Sequence, residues 1–348
     1  MQQTHSRRSL FAWLGAAALA LAGTGTLGLG AMPAADTQIA VIPKGTTHEF
    51  WKTVEAGARA GAKSAGVEIL WKGPAREDDR DEQIKVVEAM IARGVAGIVI
   101  APLDENALVP VLKQADAKGI PVVLFDSGVK WNGRRSLVAT DNTKGGELAA
   151  RELGTRLKGV GKVAMMRYVE GSASTRQRED GFLATLKAEF PKIEIVSSDQ
   201  HGGATVESAH KVAENLLTKH KDLQGVYAPN EPTTYAFMKA LRDSGRKKGI
   251  VFVGFDASEK LVTGLEERDI DALVVQNPGR MGELAVTTMK QVLDGKQVPA
   301  YVDTGVLVVT RDNVGSPQVQ SVVRPKFGAA AGGAGAPGAG SGTGAAGK

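Results

Sequence analysis

The sequence predicts an α/β protein of two domains with parallel sheets, and three observations carry that expectation. Short β-branched runs alternate with amphipathic stretches between residues 36 and 327, and no block of helices or of strands interrupts them. Glycine separates an amphipathic stretch from the apolar run after it, in Gly-Val-Ala-Gly-Ile-Val-Ile from Gly94 and in Gly-Ile-Pro-Val-Val-Leu from Gly119. A helix that ends on glycine and feeds an all-apolar strand suits a sheet covered on both faces. About 290 residues with roughly ten such runs are too many for one open sheet and suit two domains.

In chain order the strand-like runs are 39–43, 67–71, 97–101, 121–125 and 137–139, then 162–168, 193–197, 225–228, 250–254 and 272–276. Each is rich in Val, Ile or an aromatic, the residues that fit a pleated, half-buried surface. Most lead into a helical pattern. Between Ala204 and His220, residues Val206, Ala209, Val212, Ala213, Leu216 and Leu217 recur at helical spacing and would cover one sheet face.

The two ends fall outside this pattern. Arg7 and Arg8 precede an apolar stretch from Ala12 to Leu21 and a small-residue zone through Ala35, so residues 1–35 read as a twin-arginine-like export signal. Cleavage is expected at roughly residues 31–35, and the mature protein outside the cytoplasm. An uncleaved anchor is the weaker alternative, because the apolar part is shorter than the ~20 residues a spanning helix needs. Residues 328–348 hold nine glycines and no aromatic, and are expected to be a disordered Gly/Ala-rich tail. Arg7, Arg8 and Lys348 supply three of the five net positive charges, which leaves +2 for the rest and no footprint for nucleic acid. The absence of cysteine excludes disulfides, thiolate metal centres and thiol nucleophiles.

In parallel α/β folds ligands sit outside the carboxyl ends of the strands. The first run is followed by Pro43-Lys44-Gly45-Thr46-Thr47-His48-Glu49-Phe50-Trp51, without the G-x-G-x-x-G that a dinucleotide cofactor requires. Later runs lead into Asp126-Ser127, Glu170 to Phe182, Pro229-Asn230-Glu231, Phe255-Asp256 and Gln276-Asn277-Pro278. Carboxylates, amides, guanidinium groups and aromatics at strand ends in both halves suit a polyhydroxylated ligand. Planar side chains hydrogen-bond neighbouring hydroxyls, and rings lie against C–H faces.

These segments, taken in order, resemble the ribose-binding-protein family, the sugar-binding proteins of ABC importers that share a core with LacI-type repressors. The resemblance covers about residues 36–312 and rests on the I-A-V-I-P opening with F-W, G-I-P-V-V-x-F-D, A-T-D-N-x-x-G-G, E-G-S-A-S-T-R-x-R-x-x-G-F, N-L-L-T, A-P-N-E, V-G-F-D-A and Q-N-P-x-x-M-G. It implies two Rossmann-like lobes of the type I periplasmic binding protein, joined by a three-strand hinge near Thr140–Asp141, Gln276–Pro278 and Asp303–Thr304. The first lobe would take 36–140 and 277–303, the second 141–276 and 304–327.

The resemblance also implies the site. Lys44 and His48 stand at polar first-loop contacts, Phe50 and Trp51 at stacking aromatics, Asp126 at a carboxylate that grips hydroxyls and Arg176 at the arginine of the second lobe. Asn230 matches an amide contact, Phe255-Asp256 an aromatic and carboxylate pair, and Gln276 an amide near the hinge. Ser127, Ala204 and Lys44 depart from the ribose pattern and put ribose itself in doubt. The implied function is capture of a monosaccharide or similar polyol by hinge closure and delivery to an ABC transporter permease. No cofactor, metal or nucleic acid is implied, and the protein is expected to be a monomer and no enzyme.

Competing readings of single residues stay open at this level. Lys44 either pairs internally with Asp126 or Glu231 or meets an anionic or keto-hydroxyl ligand. Glu170 and Glu231 either bind an amine or hydroxyls or balance Arg176. Arg178 and Asp180 read as a structural pair or cap on the helix after Arg176, outside the site, and Asp104 reads as a helix cap. The histidines lack metal-ligand spacing, and no G-x-S-x-G elbow occurs. A sensor role for a membrane receptor would use the same cleft. A transcriptional regulator would need a helix-turn-helix ahead of the core, where the export-like leader stands.

Overall fold

The structure is a computed structural model that describes residues 37–325. The expected export signal (1–35) and Gly/Ala tail (328–348), with the last two residues of the second lobe, lie outside the described residues.

The first half alternates β1 (Gln38–Ile42), α1 (Glu49–Ala65), β2 (Glu68–Trp71), α2 (Arg80–Arg93), β3 (Gly97–Ile100), α3 (Val109–Ala117), β4 (Val122–Phe125) and β5 (Ser136–Ala139). The second half continues with α4 (Asn142–Arg156), β6 (Gly161–Met165), α5 (Ala173–Glu189), β7 (Ile193–Ser197), α6 (Val206–Lys219), β8 (Gly225–Tyr227), α7 (Glu231–Asp243), β9 (Val251–Phe255), α8 (Glu259–Glu266) and β10 (Ala272–Gln276). The chain closes with α9 (Pro278–Leu293), β11 (Tyr301–Asp303), β12 (Val306–Val309) and α10 (Pro317–Val323).

Two six-stranded sheets result, ordered β11-β5-β4-β3-β1-β2 and β12-β10-β9-β8-β6-β7. The orders are the same when β1 to β5 are matched to β6 to β10, so the halves repeat one topology. Every pairing is parallel except β12, which runs antiparallel to β10 and amends the expectation of purely parallel sheets. All ten expected strands form. Two more, β11 and β12, escape the βα pattern because β11 leads directly into β12 and β12 is followed only by the seven-residue α10.

Strand alternation splits each sheet into two cores. Ile39 and Val41 face α1 and α9, while Ala40 and Ile42 face α2 and α3. In the second sheet Val163, Met165, Val253 and Phe255 face α4 and α5, and Ala164, Phe252, Leu273 and Val275 face α6, α7 and α8. Glycine sets the helix spacing where two backbones meet. A Cβ on Gly57 would lie 1.9 Å from the Gly279 carbonyl oxygen, and one on Gly146 2.0 Å from that of Arg178. The α1–α9 contact fixes the helix that starts at the cleft, and the α4–α5 contact fixes Arg178.

The chain passes between the sheets after β5, after β10 and between β11 and β12. The first and third passages touch: Thr304 N–H donates to the Ala139 carbonyl at 3.1 Å, and the Thr140 and Thr304 hydroxyls lie 3.2 Å apart. Among the described residues no helix is long and apolar enough to cross a membrane.

Candidate functional site

Loops at the carboxyl ends of both sheets line a small, polar cleft. Eight of the ten residues expected from sequence line it: Lys44, His48, Phe50, Trp51, Asp126, Asn230, Asp256 and Gln276. Arg176 and Phe255 do not.

Asp126 and Asp256 follow β4 and β9 directly, in left-handed backbone at φ 58° and 72°. Aspartate tolerates this region better than most residues. Asp126 Oδ2 lies 2.9 Å from Lys44 Nζ, both groups being buried. Lys44 Nζ also donates to Ser174 Oγ at 3.0 Å and Ser172 Oγ at 3.3 Å. Its three N–H bonds are therefore all matched within the protein, the arrangement that internal pairing with Asp126 requires.

Asp256 carries Gln276 Nε2 on Oδ1 at 2.7 Å and the Glu231 backbone N–H on Oδ2 at 2.9 Å, with Arg178 Nη1 at 3.9 Å. Burial raises the Asp256 carboxyl above the usual aspartate value against the pull of Arg178 and these donors. Because Nε2 faces the carboxylate, the Gln276 amide orientation is set, and its Oε1 is left buried without a partner.

His48, Trp51 and Glu77 form a second cluster. Glu77, in the loop after β2, accepts from Trp51 Nε1 at 2.7 Å and lies 2.6 Å from His48 Nδ1. Burial pushes the Glu77 carboxyl up, but the bond to and charge of His48, with Lys44 and Trp51, outweigh it and hold the group below the usual glutamate value. Burial pushes His48 down, but Glu77, with Glu231 and Asp256, outweighs it and raises the imidazole. Trp51 is only 2% exposed. Its ring stands nearly perpendicular to those of Phe50 (4.9 Å between centroids) and Phe125 (6.1 Å).

The arginine of the cleft is Arg178, not Arg176. Arg178 is 2% exposed, donates through Nε to Asn142 Oδ1 at 2.8 Å and through Nη1 to the Pro229 carbonyl at 2.9 Å, and lies 4.0 Å above the Phe255 ring. Arg176 stands half exposed, pairs with Glu105 at 2.7 Å and lies 3.7 Å from Asp180. The expected Arg178–Asp180 pair does not form. Two positions on a helix differ by about 200°, so only one of the two arginines can face inward. Arg178 shares the buried face of Gly181 and Phe182, and that phase was the available signal. Phe255 is fully buried and serves as the shelf beneath Arg178.

Glu77, Tyr168, Ser174, Thr175 and Pro232 also line the cleft and were not singled out. Tyr168 is held by Glu179, which accepts its backbone N–H at 2.9 Å, and its hydroxyl is buried without a partner. Glu231 is in the cleft and Glu170 is not. Glu231 Oε2 accepts the Phe50 backbone N–H at 3.0 Å, and burial pushes its carboxyl up to about 7. Asp104 caps a turn, accepting from Asn106 and Ala107 N–H at 2.8 and 2.9 Å. Among the described residues no group of His, Asp and Glu could hold a metal ion.

The two halves bond directly across the cleft. Besides Lys44 to Ser172 and Ser174, the Ser174 N–H donates to Ser127 Oγ at 3.0 Å, and the Glu105 N–H to the Gly171 carbonyl at 3.0 Å. Arg80 Nη2 donates to the Glu170 carbonyl at 2.8 Å.

Comparison with known proteins agrees with this geometry. The family model of the periplasmic binding protein domain matches residues 39–297. The ribose import binding protein of Bacillus subtilis is 32% identical over 253 residues, 72% of this chain and 80% of that one. A carbohydrate transporter solute-binding protein from Agrobacterium radiobacter, solved with D-arabinose, superposes with a TM-score of 0.81 at 32% identity, covering 84% of this chain and 100% of that one. A solute-binding protein from Agrobacterium vitis with bound D-fucose gives 0.77 at 34% identity, over 82% and 99%.

Proposed function

The chain belongs to the periplasmic binding protein domain family, and from that membership we propose that it is an extracytoplasmic solute-binding protein that captures a monosaccharide or similar polyol and hands it to an ABC importer. The observation that carries the reading is the convergence of Asp126 and Asp256, one from each sheet, on a single small polar cleft. Relatives whose names or structures concern ribose, D-arabinose and D-fucose support a sugar as the ligand class.

In this reading residues 36–140 with 277–303 form one lobe and 141–276 with 304–327 the other, and the three passages between sheets are the hinge. Ligand contacts both lobes only when they close, so binding shifts the open–closed equilibrium. Closure removes water and strengthens the charge-assisted bonds of Asp126, Asp256 and Arg178. The ligand-facing set is His48, Phe50, Trp51, Asp126, Asn230, Asp256 and Gln276, joined by Tyr168, Arg178 and Glu231. Lys44 binds the two lobes to each other.

The importer's permease recognises the closed form and its own ATPase supplies the energy. The protein acts as a monomer, is exported by its leader and catalyses nothing itself. A calorimetric screen of pentoses, hexoses, deoxy sugars, polyols and amino sugars tests the reading. At least one is expected to bind at micromolar concentration or below; binding of a nucleotide or peptide with no sugar or polyol bound would overturn it.

A further inference from the structure

We propose that the ligand of this cleft bears a protonated amine beside its hydroxyls, as in an amino sugar or aminopolyol, and that Glu231 receives the ammonium. The inference rests on the sugar-binding reading and narrows it to one class of ligand.

The first ground is the pairing of charges. Asp126 has Lys44 at 2.9 Å, Glu77 has His48 at 2.6 Å and Asp256 has Arg178 at 3.9 Å. Glu231 alone among the cleft carboxylates makes no ion pair with any described residue, and its one bond comes from the Phe50 backbone N–H. That N–H belongs to the first turn of α1, whose positive end offsets roughly half a charge at most. A carboxylate withdrawn from water without a full counter-charge is costly.

The second ground is independent of charge. Gln276 Oε1 is buried at the cleft wall with no donor, while its Nε2 is committed to Asp256. Lys44, the strongest donor present, has spent all its N–H bonds on Asp126, Ser172 and Ser174. Trp51 Nε1 is spent on Glu77. The cleft thus holds an unpaired acceptor at Gln276 as well as the unpaired Glu231 carboxylate, and the donor left without a partner there is the single Tyr168 hydroxyl. A hydroxyl brings one donor, whereas an ammonium brings three and a full positive charge. The upward shift of Glu231 to about 7 agrees, since it marks a carboxylate that a cation would stabilise.

The test compares matched ligands by calorimetry near pH 7. Aldohexoses and pentitols are set against their 2-amino-2-deoxy, 6-amino-6-deoxy or 1-amino-1-deoxy counterparts, and each amine against its N-acetyl derivative. In at least one set the amine is expected to bind about tenfold or more tighter than its parent, about 1.4 kcal/mol, and the N-acetyl form to lose that gain. Glu231→Gln is expected to bring the amine-to-parent ratio close to one. Should that variant fold poorly, the wild-type protein still decides, because the preference must fade as pH rises through the amine's own pKa. If parent sugars bind and no amine exceeds its parent, the inference fails and the sugar reading survives; if no compound of either set binds, the inference fails and the wider screen of pentoses and deoxy sugars decides the sugar reading.

Discussion

Asp126 and Asp256 occupy the same place in two copies of one strand-end turn. Each follows a phenylalanine that ends its strand, and each adopts left-handed backbone. Each donates its N–H to the neighbouring strand, Asp126 to Val138 O at 3.0 Å and Asp256 to Val274 O at 2.8 Å. A strained conformation repeated at matching positions is held by its surroundings, and such strain gathers at ligand sites. What differs is the counter-ion. Asp126 faces a lysine from its own half, and Asp256 faces Arg178 and a glutamine.

That difference separates the two aspartates in a mutational test. Asp126→Asn and Asp256→Asn are each expected to weaken the best ligand by roughly 1.5–3 kcal/mol, about 10- to 150-fold. Asp126→Ala is also expected to lower stability by about 3–5 kcal/mol, because it leaves Lys44 buried and unpaired. Lys44→Met in the same chain is expected to recover most of that stability. Calorimetric titration and denaturant unfolding read the two effects separately, and a stable Asp126→Ala single variant would contradict the pairing.

The two arginines of α5 give a sharper contrast. Arg178→Ala removes the charge facing Asp256 and its bonds to Asn142 and Pro229, and is expected to reduce affinity at least about tenfold. Arg176→Ala removes a half-exposed partner of Glu105 and is expected to change stability by no more than about 1 kcal/mol. Equal losses in the two variants would mean that the cleft is not where the ligand binds.

The fold was largely legible because βα alternation and glycine-terminated helices are local signals. β12 carries an apolar Val-Leu-Val-Val run, yet it pairs antiparallel and is followed only by the seven-residue α10, so the rule that finds the others passes over it. Asp126, Asn230, Asp256 and Gln276 were legible for a similar reason, since each stands at a strand end. Glu77 was not. It lies six residues past β2, and only tertiary packing brings it to His48 and Trp51. Arg176 and Arg178 show the limit of motif matching, because a motif names two arginines and only helix phase says which is buried.

Glu231 and His48 together set a pH response in the ligand-free protein. The Glu231 carboxyl is raised to about 7 by burial, so between roughly pH 4.5 and 7 the native state holds more protons than the unfolded one. Stability from this group therefore falls as pH rises through that window. His48 is raised as well, and its contribution, full below the unfolded histidine value, is lost as pH rises through its folded value. Both act in the same direction, so the melting temperature is expected to drop between pH 6 and 8. Glu231→Gln is expected to shrink the drop and to be more stable than the parent at pH 8, by on the order of 1–3 kcal/mol. A variant whose profile overlays that of the parent would remove Glu231 as the source.

Lys44 bonds one half of the protein directly to the other, and the proposed closure is expected to depend on it. Its ammonium is anchored to Asp126 in one half and reaches Ser172 and Ser174 in the other, so opening the cleft exchanges two protein hydrogen bonds for water while Asp126 keeps its partner. Ser174→Ala deletes the shorter of those bonds and the hydroxyl's 3.4 Å contact with Asp126, but leaves the Ser174 backbone N–H on Ser127. Each neutral donor or acceptor lost here is worth about 1 kcal/mol. The variant is therefore expected to bind its ligand about 3- to 10-fold more weakly, through a smaller closed population. Solution scattering is expected to show a larger ligand-free radius of gyration than the parent, and saturating ligand is expected to bring both proteins to the same compact value. Trp51, at the cleft wall, supplies a fluorescence readout of the same titration. If Ser174→Ala leaves both affinity and ligand-free dimensions unchanged, Lys44 does not bridge the two halves in solution.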